Sequence, residues 1–397
     1  MPSATAPRHH AANHFWGDDW PQARALWRLA PGVRHLNHGA FGAVPLPVRR
    51  AQARLRAELD ANPMRFMRRE LPSRLESARL RAAAFCGADP DGFCFVDGVT
   101  AGVEAVLAGV RPQEGDEVVV TEQAYGPVAA AVARACRRGG ARRVVAGLTV
   151  MDDEEARTEA VLGALTDRTR LVVLEHVTPG TALVLPVARL VAALHERGIP
   201  VAVDAAHAPG ALPLAVAELG ADFWIGAFHK WLCAPLGTAA LAVARPWRTR
   251  MAPLVSNWAS AEAGYPQSFA ETGSADPTGR LCVPAAIDFL TRLGPERVRR
   301  HNAELAAYGA AVVAEAVGAT TTVPGPFTGM RAVALPPGIG TDTPAAKTFQ
   351  DHLAQRAATE TTVVSAHGRG WLRLSAQVYN SPAEYEQLAG RLRRELR

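Results

Sequence analysis

The sequence predicts an α/β protein in which a mostly parallel β-sheet carries helices on both faces. Continuous apolar runs, such as Val118–Val120 and Leu171–Leu174, are typical of strands that are buried on both sides. Segments with the apolar spacing of helices separate these runs along the chain. Because strands that alternate with helices form parallel sheets, this pattern favours a sheet covered on both faces. The C-terminal third changes to a different pattern, which indicates a smaller α+β unit.

The predicted sheet has seven strands. They lie near residues 92–97, 117–121, 142–146, 170–175, 199–204, 222–226 and 239–244. Two helices precede them, near residues 47–60 and 72–86, and each opens with a proline, which the first turn of a helix tolerates. The smaller unit has predicted helices near residues 283–293, 296–317, 344–358 and 382–395, and predicted strands near residues 329–335, 361–365 and 371–376.

Composition excludes several classes of protein. The 397 residues are 48% hydrophobic and 20% charged, with a net charge of +5 that comes mainly from dispersed arginines. No basic stretch is interleaved with aromatic residues, and no apolar span is long enough to cross a membrane, so we expect neither a nucleic-acid partner nor membrane insertion. The five cysteines are odd in number and lack C-x-x-C spacing, which implies neither a disulfide framework nor a zinc site and favours the cytoplasm. Residues 1–14 lack an apolar core and are expected to form a disordered leader.

One lysine stands out because it follows an apolar run, Phe223–Phe228. Burial among such neighbours disfavours the charged ammonium, so the free amine of Lys230 becomes available as a nucleophile. The alternative is a lysine whose stem lies on apolar surface while its ammonium reaches water. Asp204, which ends the run at residues 199–204, favours the first interpretation. A carboxylate at a strand end can pair with the protonated pyridine nitrogen of pyridoxal 5'-phosphate (PLP).

Four motifs together resemble one enzyme family. They are Leu36–Pro45, Val203–His207, Gly226–Trp231 and Arg373–Asn380, and they span nearly the whole chain. They are similar to the motifs of fold-type I PLP enzymes of the class V aminotransferase group, in particular its isopenicillin N epimerase-like branch, whose relatives include cysteine desulfurases and C–S lyases. The resemblance implies PLP as the cofactor and the aspartate aminotransferase-like fold of PLP-dependent transferases.

The resemblance also implies a domain organisation. A large PLP-binding domain is expected over residues 51–282 and a small domain over residues 283–397, with the N-terminal segment, residues 15–50, packing with the small domain. Family members build their sites at a homodimer interface, where a loop of the neighbouring subunit contacts the cofactor phosphate. Gly273 and Ser274 match that loop. Ala275 stands where relatives often have arginine, which removes one expected substrate contact.

Further cofactor contacts are implied at the ends of the predicted strands, where open α/β sheets bind ligands. Gly98, Val99 and Thr100 lie at a helix start, where backbone N–H groups can hold a phosphate, although a plain helix N-cap at Thr100 is the alternative. Tyr125 is expected to stack on the pyridine ring, and Gln123 is the alternative contact.

Three more residues are expected to contact the cofactor or the substrate through the matched motifs. Thr178 is placed to meet the phenolic oxygen or the substrate, His207 the phenolic oxygen or the phosphate, and His229 the phosphate region. For His207, a purely structural role is the alternative.

The substrate is expected to be an amino-acid-type small molecule. Arg373 resembles the family arginine that binds the α-carboxylate, and a bidentate guanidinium pair would fix the substrate. An arginine on the solvent face of a strand fits the local pattern nearly as well. Asn37 and His38 are expected to complete the pocket, and Arg65 is a candidate for a second acidic group on the substrate.

The resemblance leaves the reaction open. Lys230 would form a Schiff base with PLP and, once an external aldimine with the substrate replaces it, act as general base at Cα. None of the five cysteines matches the mobile-loop cysteine of a desulfurase. We therefore expect a β-eliminating (C–S) lyase or a decarboxylating or deaminating enzyme of small-molecule biosynthesis. An epimerase and an aminotransferase are alternatives, and a PLP-binding sensor without activity is disfavoured by the intact residue set.

Overall fold

The computed structural model describes residues 20–319 and 328–396, and these form two compact units. The first, here called the central unit, comprises residues 41–292. The second, here called the terminal unit, comprises the described residues up to 40 and from 293 onward. The leader predicted for residues 1–14 lies outside the described residues.

Among the described residues, the strands are β1 (Arg34–His35), β2 (Phe93–Val96), β3 (Glu117–Thr121), β4 (Arg142–Ala146), β5 (Thr169–Glu175), β6 (Val201–Ala205), β7 (Phe223–Ala227), β8 (Ala239–Val243), β9 (Met330–Ala334), β10 (Thr359–Glu360), β11 (Thr362–Ala366) and β12 (Arg369–Ser375). The α-helices are α1 (Trp20–Arg24), α2 (His38–Phe41), α3 (Leu46–Ala61), α4 (Leu71–Cys86), α5 (Val99–Val110), α6 (Gly126–Gly139), α7 (Glu154–Gly163), α8 (Val187–His195), α9 (Val216–Leu219), α10 (Trp258–Glu262), α11 (Thr278–Leu281), α12 (Val283–Leu293), α13 (Pro295–Val317), α14 (Thr343–Ala357) and α15 (Pro382–Glu395). Short 3-10 turns occupy Pro90–Gly92, Arg245–Arg250 and Gln267–Phe269, and a π-helical segment occupies Arg65–Glu70.

The central unit is built on a seven-stranded sheet in the order β2-β8-β7-β6-β5-β3-β4. Strand β8 is antiparallel to both of its neighbours, and all other pairs are parallel. Every residue of β3, β6 and β7 is buried, as strands covered on both faces require. The prediction of a mostly parallel seven-stranded sheet is confirmed.

This sheet brings polar side chains together at one edge. Strands β3, β5, β6 and β7 are parallel, so their carboxyl ends meet at the same edge of the sheet. Thr121 ends β3, Glu175 ends β5, Asp204 is the penultimate residue of β6, and Lys230 follows β7. The fold therefore places these ionisable and hydroxyl side chains at the edge of the sheet where α/β proteins bind ligands.

The terminal unit contains a three-stranded antiparallel sheet in the order β11-β12-β9 and a short parallel pair of β1 with β10. Helices α13 and α15 pack closely, because Gly309 lets the ring of Tyr385 approach the α13 backbone. Tyr385 is fully buried, and its hydroxyl donates to the carbonyl of Ser375 at 2.7 Å. The predicted helices and strands of this part begin and end within about two residues of the observed ones.

No helix in the described ranges combines the length and the apolarity needed to cross a membrane.

Candidate active site

Lys230 lies in a tight turn that follows β7. The N–H of Cys233 donates to the carbonyl of Lys230 at 3.1 Å, and the N–H of Ala234 donates to the carbonyl of Phe228 at 3.0 Å. Cys233 adopts a left-handed conformation with φ of 61°, which reverses the chain. Phe228 and Trp231 are buried, so they anchor the turn on both sides of the half-buried Lys230.

Two glycines let other backbone segments approach this turn. Gly42, with φ of +67°, lies against the carbonyl of His229, and a Cβ at Gly42 would overlap that oxygen. Gly210, with φ of +89°, lies against the Trp231 backbone, where a Cβ would come within 2.6 Å of the carbonyl carbon. Glycine accepts both the positive φ and the close approach. The turn is thus held by backbone contacts as well as by its own hydrogen bonds.

The Lys230 amine contacts an imidazole whose tautomer can be deduced. Lys230 Nζ lies 3.0 Å from His207 Nε2, and Trp231 Nε1–H donates to His207 Nδ1 at 3.3 Å. Indole nitrogen is only a donor, so Nδ1 must be an acceptor, and a neutral imidazole then carries its hydrogen on Nε2. Nε2–H donates to a lone pair that only the unprotonated amine possesses. This arrangement therefore favours Lys230 in its nucleophilic form.

Asp204 is a buried carboxylate close to this lysine. The side chain is 5% exposed, and Oδ1 accepts the Ala206 N–H at 3.0 Å. Burial raises the pKa of Asp204, whereas the Ala206 N–H and the positive charge of a protonated Lys230 oppose that rise. A buried carboxylate gains most from a partner that brings both a hydrogen bond and a positive charge. The protonated nitrogen of a pyridine ring fits this requirement.

The start of α5 fits a phosphate group. The helix is 12 residues long, its N-cap residue is Gly98 with φ of 137°, and no side chain caps it. Because Thr100 lies inside the helix, the alternative of a plain N-cap at Thr100 is not what the structure shows. A Cβ at Gly98 would meet nothing within 4 Å, so the space beside Gly98 is open. Uncapped N–H groups at a helix start are suited to an anion.

The hydroxyl of Thr178 is engaged within its own loop. It accepts the Leu183 N–H at 2.8 Å and lies 2.8 Å from the Thr181 hydroxyl. Thr181 donates its hydrogen to Gln123 Oε1 at 2.9 Å, so Thr178 must be the donor between the two threonines. Gln123 also donates to the carbonyl of Leu148 at 3.2 Å, whereas Tyr125 is 47% exposed. Gln123 is thus engaged in this hydrogen-bond network, whereas Tyr125 is largely exposed. The roles of both as contacts of the pyridine ring stay predictions.

The remaining candidates of the central unit differ in exposure. His229 Nδ1 lies 3.2 Å from the Thr238 carbonyl, and burial lowers its pKa against the effect of that hydrogen bond. Gly273 and Ser274 lie in an exposed loop, where Gly273 has φ of 62°. Arg65 is exposed and pairs with Glu70 Oε1 at 3.1 Å. The roles of these four residues stay predictions.

The predicted substrate-binding residues of the terminal unit form two clusters. Arg373 is 4% exposed, and its Nη2 donates to Asn37 Oδ1 at 2.8 Å and to Thr362 Oγ1 at 2.9 Å. Both acceptors are neutral, and desolvation lowers the pKa of Arg373 to about 10. His38 is fully buried, and its ring nitrogens lie 3.0 Å from the Tyr379 hydroxyl and 3.2 Å from Gln377 Nε2. Its place among the substrate contacts stays a prediction.

Comparison with known proteins agrees with this geometry. The family Aminotransferase class-V matches residues 44–387. The chain is 33% identical to isopenicillin N epimerase of Streptomyces clavuligerus, over 94% of this chain and 98% of that protein. It is 30% identical to a putative L-cysteine desulfhydrase 1 of Oryza sativa subsp. japonica, over 90% of this chain and 82% of that protein.

A solved structure shares the fold. A cystine C–S lyase in complex with its product cysteine persulfide aligns with a TM-score of 0.78 at 20% identity, over 91% of this chain and 98% of that one. The chain belongs to the class V aminotransferase family. The predicted fold, the resemblance to the isopenicillin N epimerase-like branch and the expectation of a PLP-dependent enzyme are confirmed.

Proposed function

We propose that this protein is a PLP-dependent β-eliminating C–S lyase that acts on an amino-acid-type substrate. The observation that carries the proposal is the contact of Lys230 with His207 beside the buried Asp204. This arrangement supports a nucleophilic amine and a pyridine-binding carboxylate in one place. The similarity to a cysteine desulfhydrase supports C–S cleavage in particular.

Each residue has a proposed part in the chemistry. The cofactor supplies an aldehyde for covalent attachment and a ring that accepts the electron pair released at Cα. Asp204 binds the ring nitrogen, and the first-turn N–H groups of α5 bind the phosphate. His207 orients the Lys230 amine, which then removes the Cα proton. The overall reaction would convert a cysteine-type substrate and water into a thiol, pyruvate and ammonia, and the proton that Lys230 removes from Cα balances the thiolate that leaves Cβ.

The cysteines disfavour a desulfurase, which needs an accessible thiol to accept sulfur. All five cysteines are buried, at 3% exposure or less. Burial raises the pKa of Cys94, Cys233 and Cys282 to about 12 in each case. A buried thiol in its protonated form is a poor nucleophile. Sulfur would therefore leave as a free thiol or persulfide.

An isotope experiment distinguishes the reactions. We expect pyruvate, ammonia and free thiol in equal amounts when the enzyme is incubated with cysteine-type substrates in deuterated water. Deuterium at an inverted Cα would instead show an epimerase, and accumulation of the pyridoxamine form would show an aminotransferase. A shift of the cofactor absorbance without any product would contradict an enzymatic role.

The epimerase is the second candidate. It is favoured by the 33% identity to isopenicillin N epimerase over 98% of that protein. Epimerisation needs a second acid or base on the face of Cα opposite Lys230. The half-exposed Tyr125 is a candidate if it lies over the ring, as its motif implies. A Tyr125→Phe variant that retains C–S cleavage but loses deuterium incorporation with inversion would identify such a side activity.

Arg373 is proposed to bind the substrate carboxylate, because an anion would offset the desolvation of its buried guanidinium. We expect Arg373→Ala to raise KM for amino-acid substrates by roughly 10- to 100-fold, the cost of a charge-assisted hydrogen bond. Arg369→Ala, which removes an exposed arginine of the same strand, is the matched control. Equal KM values for both variants would contradict this role.

The assembly and location are also proposals. Members of this family complete their sites in homodimers, and the exposed loop at Gly273 and Ser274 is available for a partner subunit. The buried thiols suit a reducing cytoplasm. Small-molecule biosynthesis is the proposed setting.

A further inference from the structure

Two buried acids are neighbours at the carboxyl edge of the central sheet. Glu175 on β5 and Asp204 on β6 are register partners in adjacent parallel strands. Glu175 is 1% exposed and Asp204 is 5% exposed. Two carboxylates in such surroundings repel each other and lack hydration, so the pair favours a single negative charge. The question is which of the two acids carries it.

The contacts of the two side chains are unequal. Asp204 Oδ1 accepts the backbone N–H of Ala206 at 3.0 Å. Glu175 Oε2 accepts the neutral hydroxyl of Thr121, and Glu175 Oε1 is buried without a hydrogen-bond partner in the described part of the chain. A carboxylate oxygen that is buried and unpaired is costly when it is charged. The contacts thus stabilise charge on Asp204 and neutrality on Glu175.

The electrostatics point in the same direction. Burial raises the pKa of Glu175 to about 8, the Asp204 charge adds to this rise, and the Thr121 hydroxyl opposes it. Asp204 on β6 is the charged group that acts on Glu175, and β3 faces Glu175 with the neutral Thr121.

We propose that Glu175 is a positioning residue that stays a neutral acid and thereby keeps the single negative charge of the pair on Asp204. This inference rests on the proposed function in one respect, because Asp204 is there the carboxylate that binds the cofactor ring nitrogen. A neutral Glu175 leaves one negative charge to meet one positive charge on the ring. An ionised Glu175 would add a second buried charge with no partner.

The test uses Glu175→Gln, which keeps the shape of the neutral acid but has no proton that titrates. In infrared difference spectra of wild type minus variant, we expect the carbonyl band of a protonated carboxylic acid at neutral pH. In the holoenzyme, we expect the dissociation constant for PLP to change by no more than about twofold, whereas Asp204→Asn should weaken binding at least tenfold. A missing infrared band, or a tenfold loss of PLP affinity in Glu175→Gln, would overturn the proposal.

Stability provides a second readout. In the unfolded chain Glu175 has its ordinary pKa of 4.5, whereas in the folded protein burial raises its pKa to about 8. As pH rises through this window, the unfolded chain loses the proton first, so wild type loses stability that Glu175→Gln retains. We expect the thermal midpoint of the variant to exceed that of wild type increasingly from about pH 5 to about pH 8. A constant difference would contradict a neutral Glu175. The apoprotein suffices for this measurement, so its failure is separate from failure of the enzymatic proposal.

Discussion

Lys230→Ala is expected to lower turnover by about four orders of magnitude or more, because the variant loses both the nucleophile and the base at Cα. The fold should persist, since the turn around Lys230 is held by backbone hydrogen bonds and by its buried neighbours. Rates within tenfold of wild type would contradict the assignment. Circular dichroism would establish that the variant is folded.

The composition of the chain offers an unusually clean control. Lysine occurs only at positions 230 and 347. Lys347 is exposed and pairs with Asp351 at 3.5 Å. We expect Lys347→Ala to keep full activity, and borohydride reduction of the holoenzyme to attach the cofactor to Lys230 alone. A label on Lys347, or no label on either lysine, would refute the assignment.

Asp204→Asn is expected to lower kcat by roughly 10²- to 10³-fold, the range found when a group that stabilises transition-state charge is removed. Asparagine keeps the shape but no longer favours the protonated ring nitrogen, so electrons released at Cα are accepted poorly. Substrate KM should change little. The cofactor absorbance of the variant should also respond differently to pH, which a merely structural defect would not produce.

A matched control is Asp116→Asn. Asp116 precedes β3, at the amino end of the strands, where it accepts the Gln113 N–H at 2.9 Å. Its replacement should leave kcat unchanged. If both variants lost activity equally, the loss would reflect a general defect, and Asp204 would have no specific part in the chemistry.

The strands of the sheet could be predicted because each one is marked by an apolar run within its own few residues. In a continuous apolar run such as Val118–Val120, side chains point to both faces of the sheet, so both faces must be covered. Each predicted strand agrees with an observed one to within about two residues. Placing Asp204 at a strand end and Lys230 after an apolar run was likewise a local inference. The π-helical segment at Arg65–Glu70 was missed, because its wider turn leaves no distinct apolar spacing.

The parts of the site that depend on pairing across the chain could not be predicted. Glu175 belongs to an ordinary apolar run in the sequence, and only the register of β5 with β6 places it beside Asp204. Likewise, Gly210 and the Trp231 hydrogen bond to His207 arise from a close approach of two turns. No pattern in the local sequence signals such contacts. A polar residue within a buried strand, as at Glu175, was the one available clue.

The interior placement of the thiols turns them into reporters of motion. An alkylating reagent can reach Cys233 only when the turn at Lys230 opens, and it can reach Cys94 only when the side chains packed over β2 move away. The ratio of the two labelling rates therefore measures how readily the catalytic turn fluctuates relative to the sheet that supports it. Ligands that tighten the turn should protect Cys233 selectively.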